Sequence, residues 1–224
     1  MPLPVYSNDQ IASQLTTGYA VFSGYTPYHW NVFAGGTLTI NILALTAAGQ
    51  FFANAALQTW SEVTGIQFTF TGGTAQITFD DSDPNQAYET DFSSNGVTTT
   101  SAFINISTDW IASDIGNLNS YSYQTYLHEI GHALGLGHAG NYNGDAVYGV
   151  NNQYLNDSWQ TSIMSYFDQN QNTYVNADFA YLMTPMAADL LAVQSFYGTS
   201  TSTRSSNTTY GFGSNAGQCD LRCQ

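Results

Sequence analysis

The chain has 224 residues, 43% of them hydrophobic and 15% aromatic, which is enough for one substantial domain with a small appendage. It carries no lysine and only Arg204 and Arg222 as strong bases against 16 acidic residues, a formal net charge of −14. That balance repels nucleic-acid phosphates and anionic lipid, and no apolar run approaches the roughly 18 to 20 residues of a membrane span, so neither nucleic acid nor membrane is an expected partner.

Along the chain, Met1 to Gln10 lacks a basic segment followed by an apolar stretch, so no Sec-type export signal is expected. After the turn Gly35-Gly36, Thr37 to Leu43 alternates Leu38, Ile40 and Ile42 on one face, the pattern of a half-buried strand. Ala48 to Thr64 then sets Phe52, Ala56, Trp60 and Val63 at helical spacing and stops at Gly65. Strands are expected at Ile66 to Thr71 and Gln76 to Phe79 around the turn Gly72-Gly73, at Ala87 to Phe92 after the polar loop Asp80 to Gln86, and at Thr100 to Ser107. A second helix runs from about Ser120 to Leu134. A last one has Thr184 as N-cap, Pro185 at its first position and Gly198 as its stop. The order implies an α+β fold with helices on one side of a twisted sheet, residues 1–198 forming the domain and 199–224 a polar Gly/Ser/Thr-rich tail.

Within the second helix, Tyr123, Leu127, Ile130 and Leu134 share one side, while His128 and His132 share the other. Four residues is about one turn, so both imidazoles can reach one zinc ion at about 2.0 to 2.1 Å. His138 is six residues further on, and an unbroken helix would turn it away by roughly 240°. Gly135 is therefore read as the helix break, with Gly137 adding freedom before a third ligand. Three protein ligands leave a fourth position for water, the mark of a catalytic site. Glu129, between the first two histidines, is placed to take a proton from that water as general base and return it to a leaving amine. A noncatalytic zinc-bearing domain is the alternative of a different class. His29, in Tyr28-His29-Trp30, is expected to be structural or at the surface.

The run His128-Glu129-Ile130-Gly131-His132-Ala133-Leu134-Gly135-Leu136-Gly137-His138 resembles the extended zinc motif of the metzincin peptidases, and Thr161-Ser162-Ile163-Met164-Ser165-Tyr166 resembles their Met-turn. The resemblance implies a mostly parallel sheet with an antiparallel edge strand, Met164 as a floor beneath the metal, and Tyr166 as a switchable metal ligand and transition-state helper. The tyrosine two residues after Met164 narrows it to serralysin-like and astacin-like enzymes. Ala139 just after the third histidine and the absence of a core cysteine pair argue against the astacin type. Gly140-Asn141-Tyr142-Asn143, the stretch Pro185 to Gly198 with Asp189, Ala192, Gln194 and Tyr197, and Thr203-Arg204 with Tyr210-Gly211-Phe212 are similar to segments of the serralysins. By that resemblance the chain would be an extracellular endopeptidase, monomeric, cutting protein or peptide substrates held against the edge strand, for which Ala87, Tyr88 and Glu89 are the candidates. Serralysins also bind calcium in a β-roll. Here Asn207 replaces an expected aspartate and no Gly-Gly-x-Gly-x-Asp repeat follows, which puts calcium binding in doubt; Asp80-Asp81-Ser82-Asp83 is acidic enough for a weak calcium site but reads more readily as a solvated loop. Cys219 and Cys223, four residues apart, would close only a tiny loop.

Overall fold

The computed structural model describes residues 2–200 and Asn207. The expectations for the tail beyond Ser200, including Arg204, Cys219 and Cys223, lie outside the described residues, Asn207 apart.

Among the described residues five strands, β1 (Thr37–Asn41), β2 (Gln67–Phe70), β3 (Ile77–Asp80), β4 (Ala87–Phe92) and β5 (Ser101–Ile106), form one sheet in the order β2-β1-β3-β5-β4. All pairs are parallel except β4 with β5, which is antiparallel from Ala87 opposite Ile106 to Phe92 opposite Ser101. The expected mixed sheet is thus present, with β4 at its edge. Leu38, Ile40, Ile77, Phe79, Ala102, Ile104 and Ile106 are buried beneath the helices, while Thr37 on the opposite face is exposed. This alternation is what a strand buried on one side requires.

Among the described residues six α-helices accompany the sheet: α1 (Asn8–Ser13), α2 (Tyr19–Ser23), α3 (Ala47–Thr64), α4 (Thr108–Ile111), α5 (Tyr121–Ala133) and α6 (Ala187–Tyr197). α3 and α5 pack on each other, and α5 also lies against β4 and β5. Phe52, Ala56 and Trp60 of α3 are fully buried, and burying each large side chain contributes about 1.5–3 kcal/mol. Three hydrogen bonds to carbonyls of α5 and its C-cap fix its axis: Trp60 Nε1 donates to Leu127 O (3.0 Å), Trp30 Nε1 to Ala133 O (2.7 Å) and the Tyr197 hydroxyl to Leu134 O (2.6 Å).

Two features differ from the sequence reading. The N-terminal segment is helical: Ser7 and Gln10 form a reciprocal capping box, and α1 passes through a π-helical turn, Gln14–Gly18, into α2. That turn keeps Ile11, Leu15 and Tyr19 on one buried side. α6 begins at Ala187 after an N-cap at Met186, two residues later than Thr184 as cap would require. The reason is Asp189, whose carboxylate accepts the Met186 N–H at 2.7 Å and so satisfies the first turn from inside the helix.

α5 ends as expected at Gly135, with φ of +93°. Leu136 N–H donates to Gly131 O (3.0 Å) and Gly135 N–H to His132 O (2.7 Å), the paired bonds of a Schellman ending. A Cβ on Gly135 would also stand 3.1 Å from Tyr28 O. Gly135→Ala is therefore expected to lower stability by about 1–2 kcal/mol from the left-handed backbone alone, measured as a lower urea midpoint with unchanged slope.

Candidate metal centre

His128 and His132 lie on the face of α5 away from its buried apolar side, and the Schellman turn brings His138 back beside them. His132 Nε2 is 3.0 Å from His128 Nε2 and 3.1 Å from His138 Nε2. The other ring nitrogens fix the tautomers. His128 Nδ1 faces Ile163 O at 2.9 Å and His132 Nδ1 faces Leu136 O at 2.7 Å, and a carbonyl can only accept. The Nδ1 atoms therefore carry the protons, and the Nε2 lone pairs of these two neutral rings converge on one point with His138 Nε2 beside them. Burial holds all three rings neutral: it lowers His128 to about 4 and, with the charge of His128 adding to it, His132 to about 3, and it holds His138 well below the usual range. Lone pairs this close repel unless a cation sits among them. Nitrogens arranged tetrahedrally at about 2.05 Å from zinc are about 3.3 Å apart, close to the separations found. The donor set fits zinc, and among the described residues it is the one group of three or more His, Cys, Asp or Glu with ligand atoms within 4.8 Å of one another.

His29 stands apart, stacked on Phe196 at 4.4 Å. The acidic loop makes no comparable group: Asp80 accepts from Ser82 N, Asp81 from Thr46 N, and Asp83 from the Tyr88 hydroxyl.

Met164 is fully buried, and its sulfur packs so tightly on α5 that a Cβ on Gly131 would come within 2.7 Å of it. Its carbonyl accepts from Ala139 N (3.1 Å), tying this turn to the residue after His138. The Tyr166 ring meets His138 edge-on at 4.6 Å, and burial raises its hydroxyl to about 12. Glu129 is buried beside His128 and lines a cavity of about 430 Å³ whose walls include Trp110, Tyr121, Trp159, Tyr166 and, from the edge strand, Ala87. Glu89 lines a smaller cavity next to His132. Tyr88 turns to the other face, where its hydroxyl bonds Asp83, so only its backbone remains available to a pairing strand.

With this geometry in view, the sequence model of the matrixin peptidases matches residues 40–160, more than half of the chain and all of the histidine cluster. The chain belongs to the matrixin family. Among its relatives, the metallopeptidase AprA of Pseudomonas marginalis is 32% identical over 96% of this chain and 50% of its own length. A serralysin of Photorhabdus sp. (strain Az29) is 35% identical over 73% of this chain and 35% of its own, and serralysin C of Dickeya chrysanthemi is 45% identical over 46% and 22%. This matrixin is thus serralysin-like, and it spans about half the length, or less, of the curated relatives it matches.

Several site residues of this matrixin escaped the sequence reading. Trp110, Tyr121 and Trp159 come from three segments with no shared periodicity, and only folding joins them. Asp157 is buried and accepts from the Ser165 hydroxyl (2.7 Å) and the Tyr142 hydroxyl (3.2 Å), holding Tyr142 against Tyr166, ring to ring at 4.7 Å. Tyr19, from the unforeseen N-terminal helices, meets His138 edge-on at 4.9 Å.

Burial raises Glu129 from 4.5 to about 8. Between those values the folded chain holds a proton that the unfolded chain has released. The stability this contributes is complete below about pH 4.5 and is lost as pH rises through about 8. Glu129→Gln, measured in chelator, should therefore be more stable than wild type by a margin that opens above pH 4.5 and levels off above about 8, reaching on the order of a few kcal/mol. Thermal denaturation across pH checks it, and a pH-independent difference would sink it.

Proposed function

We propose that the chain is a secreted zinc-dependent endopeptidase acting on extended stretches of protein or peptide, with residues 1–198 as its catalytic unit. The observation that carries this reading is the convergence of the three Nε2 atoms beside Glu129, on the floor of a cleft bounded by a sheet edge that no described residue pairs. His128, His132 and His138 would hold zinc, and Tyr166, its ring edge-on to His138, would join or leave them. When bound, zinc supplies polarisation of the scissile carbonyl and acidification of water. Glu129 takes the proton of the attacking water and passes it to the departing amine, a task suited to a carboxyl that burial moves toward neutral pH. Tyr166, whose ring meets His138 edge-on, would hydrogen-bond the developing oxyanion. Beyond Ala87 the edge strand offers backbone groups to an extended substrate, so recognition would tolerate many sequences. The large cavity would receive an apolar or aromatic side chain between Trp110, Tyr121 and Trp159.

Secretion is supported by kinship with the serralysins, and no helix among the described residues is long and apolar enough to cross a membrane. The test is a metal analysis of the purified chain paired with casein hydrolysis. About one zinc per chain is expected, with turnover lost in chelator and restored by zinc. Stoichiometric zinc with no cleavage of any protein or peptide would favour a noncatalytic zinc domain instead.

A further inference from the structure

Hydrolysis as described makes no use of the carboxylates on the edge strand. Alternation along β4 turns Ala87, Glu89 and Asp91 toward α5, the first into the large cavity and the other two into the smaller one beside His132. The two cavities thus flank the histidine cluster. Tyr25 and Tyr28, their ring centroids 6.0 Å apart, also line the smaller one. Asp91 accepts the Tyr28 hydroxyl at 2.7 Å. Glu89 has no such support: its Oε1 is shut off from solvent and has no hydrogen-bond partner among the described residues. Buried carboxylate oxygens are ordinarily paired, and an orphan bears the whole desolvation penalty. No described residue can supply a lysine or arginine, because the chain has no lysine and Arg204 and Arg222 lie outside the described residues.

We infer that the smaller cavity is a subsite for a lysine or arginine side chain of the substrate, its cationic head held by Glu89 and Asp91; this rests on the endopeptidase reading. The aliphatic stem of such a side chain packs on Tyr25 and Tyr28, whose rings also attract the cation. Burial, followed by the neighbouring carboxylates of Asp91 and Glu129, holds Glu89 well above the ordinary carboxylate range, and an arriving cation favours its charged form. A substrate paired antiparallel to β4 runs from the Asp91 end toward the Ala87 end. The cationic residue then lies on the N-terminal side of the scissile bond, and the residue in the large cavity lies on the C-terminal side.

The experiment uses the zinc-loaded full chain and internally quenched peptides that differ only in carrying lysine, norleucine or glutamate at one position, scanned along both sides of the cleavage site. Lysine on the N-terminal side should raise kcat/KM about tenfold over norleucine, with glutamate poorest. In a Glu89→Gln, Asp91→Asn chain that ratio should fall to near one. The same peptides are run on an Arg204→Ala, Arg222→Ala chain, so that the tail cannot mask the subsite. A second readout needs no turnover: fluorescent lysine and norleucine peptides titrated by anisotropy against Glu129→Gln should show the same preference in Kd. Equal kcat/KM for lysine and norleucine in both arginine backgrounds would overturn the subsite. So would a lysine preference that survives Glu89→Gln, Asp91→Asn, or one confined to the C-terminal side. If no peptide is cut at all, the endopeptidase reading fails by itself, and the anisotropy preference still decides whether the subsite exists.

Discussion

Glu129→Gln is expected to lower peptide turnover by about 10²–10⁴-fold while zinc content stays at the wild-type value. Gln has the shape of Glu but cannot accept a proton, and Glu129 is not among the three nitrogen donors that converge. The side chain is buried beside His128 and faces the large cavity, so the substitution leaves both the packing and the three histidines in place. The same variant is expected to gain stability in chelator at neutral pH. A site that loses its chemistry as it becomes more stable is one whose strained carboxyl is kept for function. Steady-state kinetics on a quenched peptide with parallel metal analysis checks the loss; turnover within tenfold of wild type would remove Glu129 from the role of base.

Asp189→Ala should lower stability by about 3 kcal/mol or more, a fall in Tm of roughly 6–12 °C for a chain of this size. The Asp189 carboxylate is fully buried and accepts three hydrogen bonds, from the Ser162 hydroxyl (2.6 Å), Ile163 N (2.8 Å) and Met186 N (2.7 Å). Alanine leaves all three donors orphaned inside the protein. The damage should reach the metal centre as well, because Ile163 O is the acceptor that orients His128. Disturbing such an outer hydrogen bond typically weakens metal affinity about 10- to 100-fold. Thermal denaturation with and without zinc, together with a competitive zinc titration, measures both effects. A Tm unchanged from wild type would mean that water replaces the carboxylate.

The histidine cluster was legible because its information is local. His128, Glu129 and His132 sit within about one turn of each other, and Gly135 declares the break that brings back His138. β4 was legible as a six-residue extended run between polar loops, while its place at the sheet edge followed from the resemblance to the metzincins. The rest depends on contacts remote in sequence. Asp189 caps α6 and supports the turn at Ile163 at the same time, and Thr184-Pro185, a sound local start signal, is overridden by it. The cavity walls join Trp110, Tyr121 and Trp159 through packing alone. The N-terminal helices did announce themselves, in the Ser7 to Gln10 capping box.

The nearness of the three ring nitrogens has a mechanical side too. Two of them belong to a helix and the third to the strand of chain beyond its Schellman ending, itself pinned to the methionine turn through Ala139 and Met164. No cysteine occurs among residues 2–200. A cation bound by the trio therefore acts as a rivet, the strongest cross-link open to this part of the molecule. Removing it should first loosen the segment from His132 to Ala139, and amide hydrogen exchange there should quicken well before the sheet gives way.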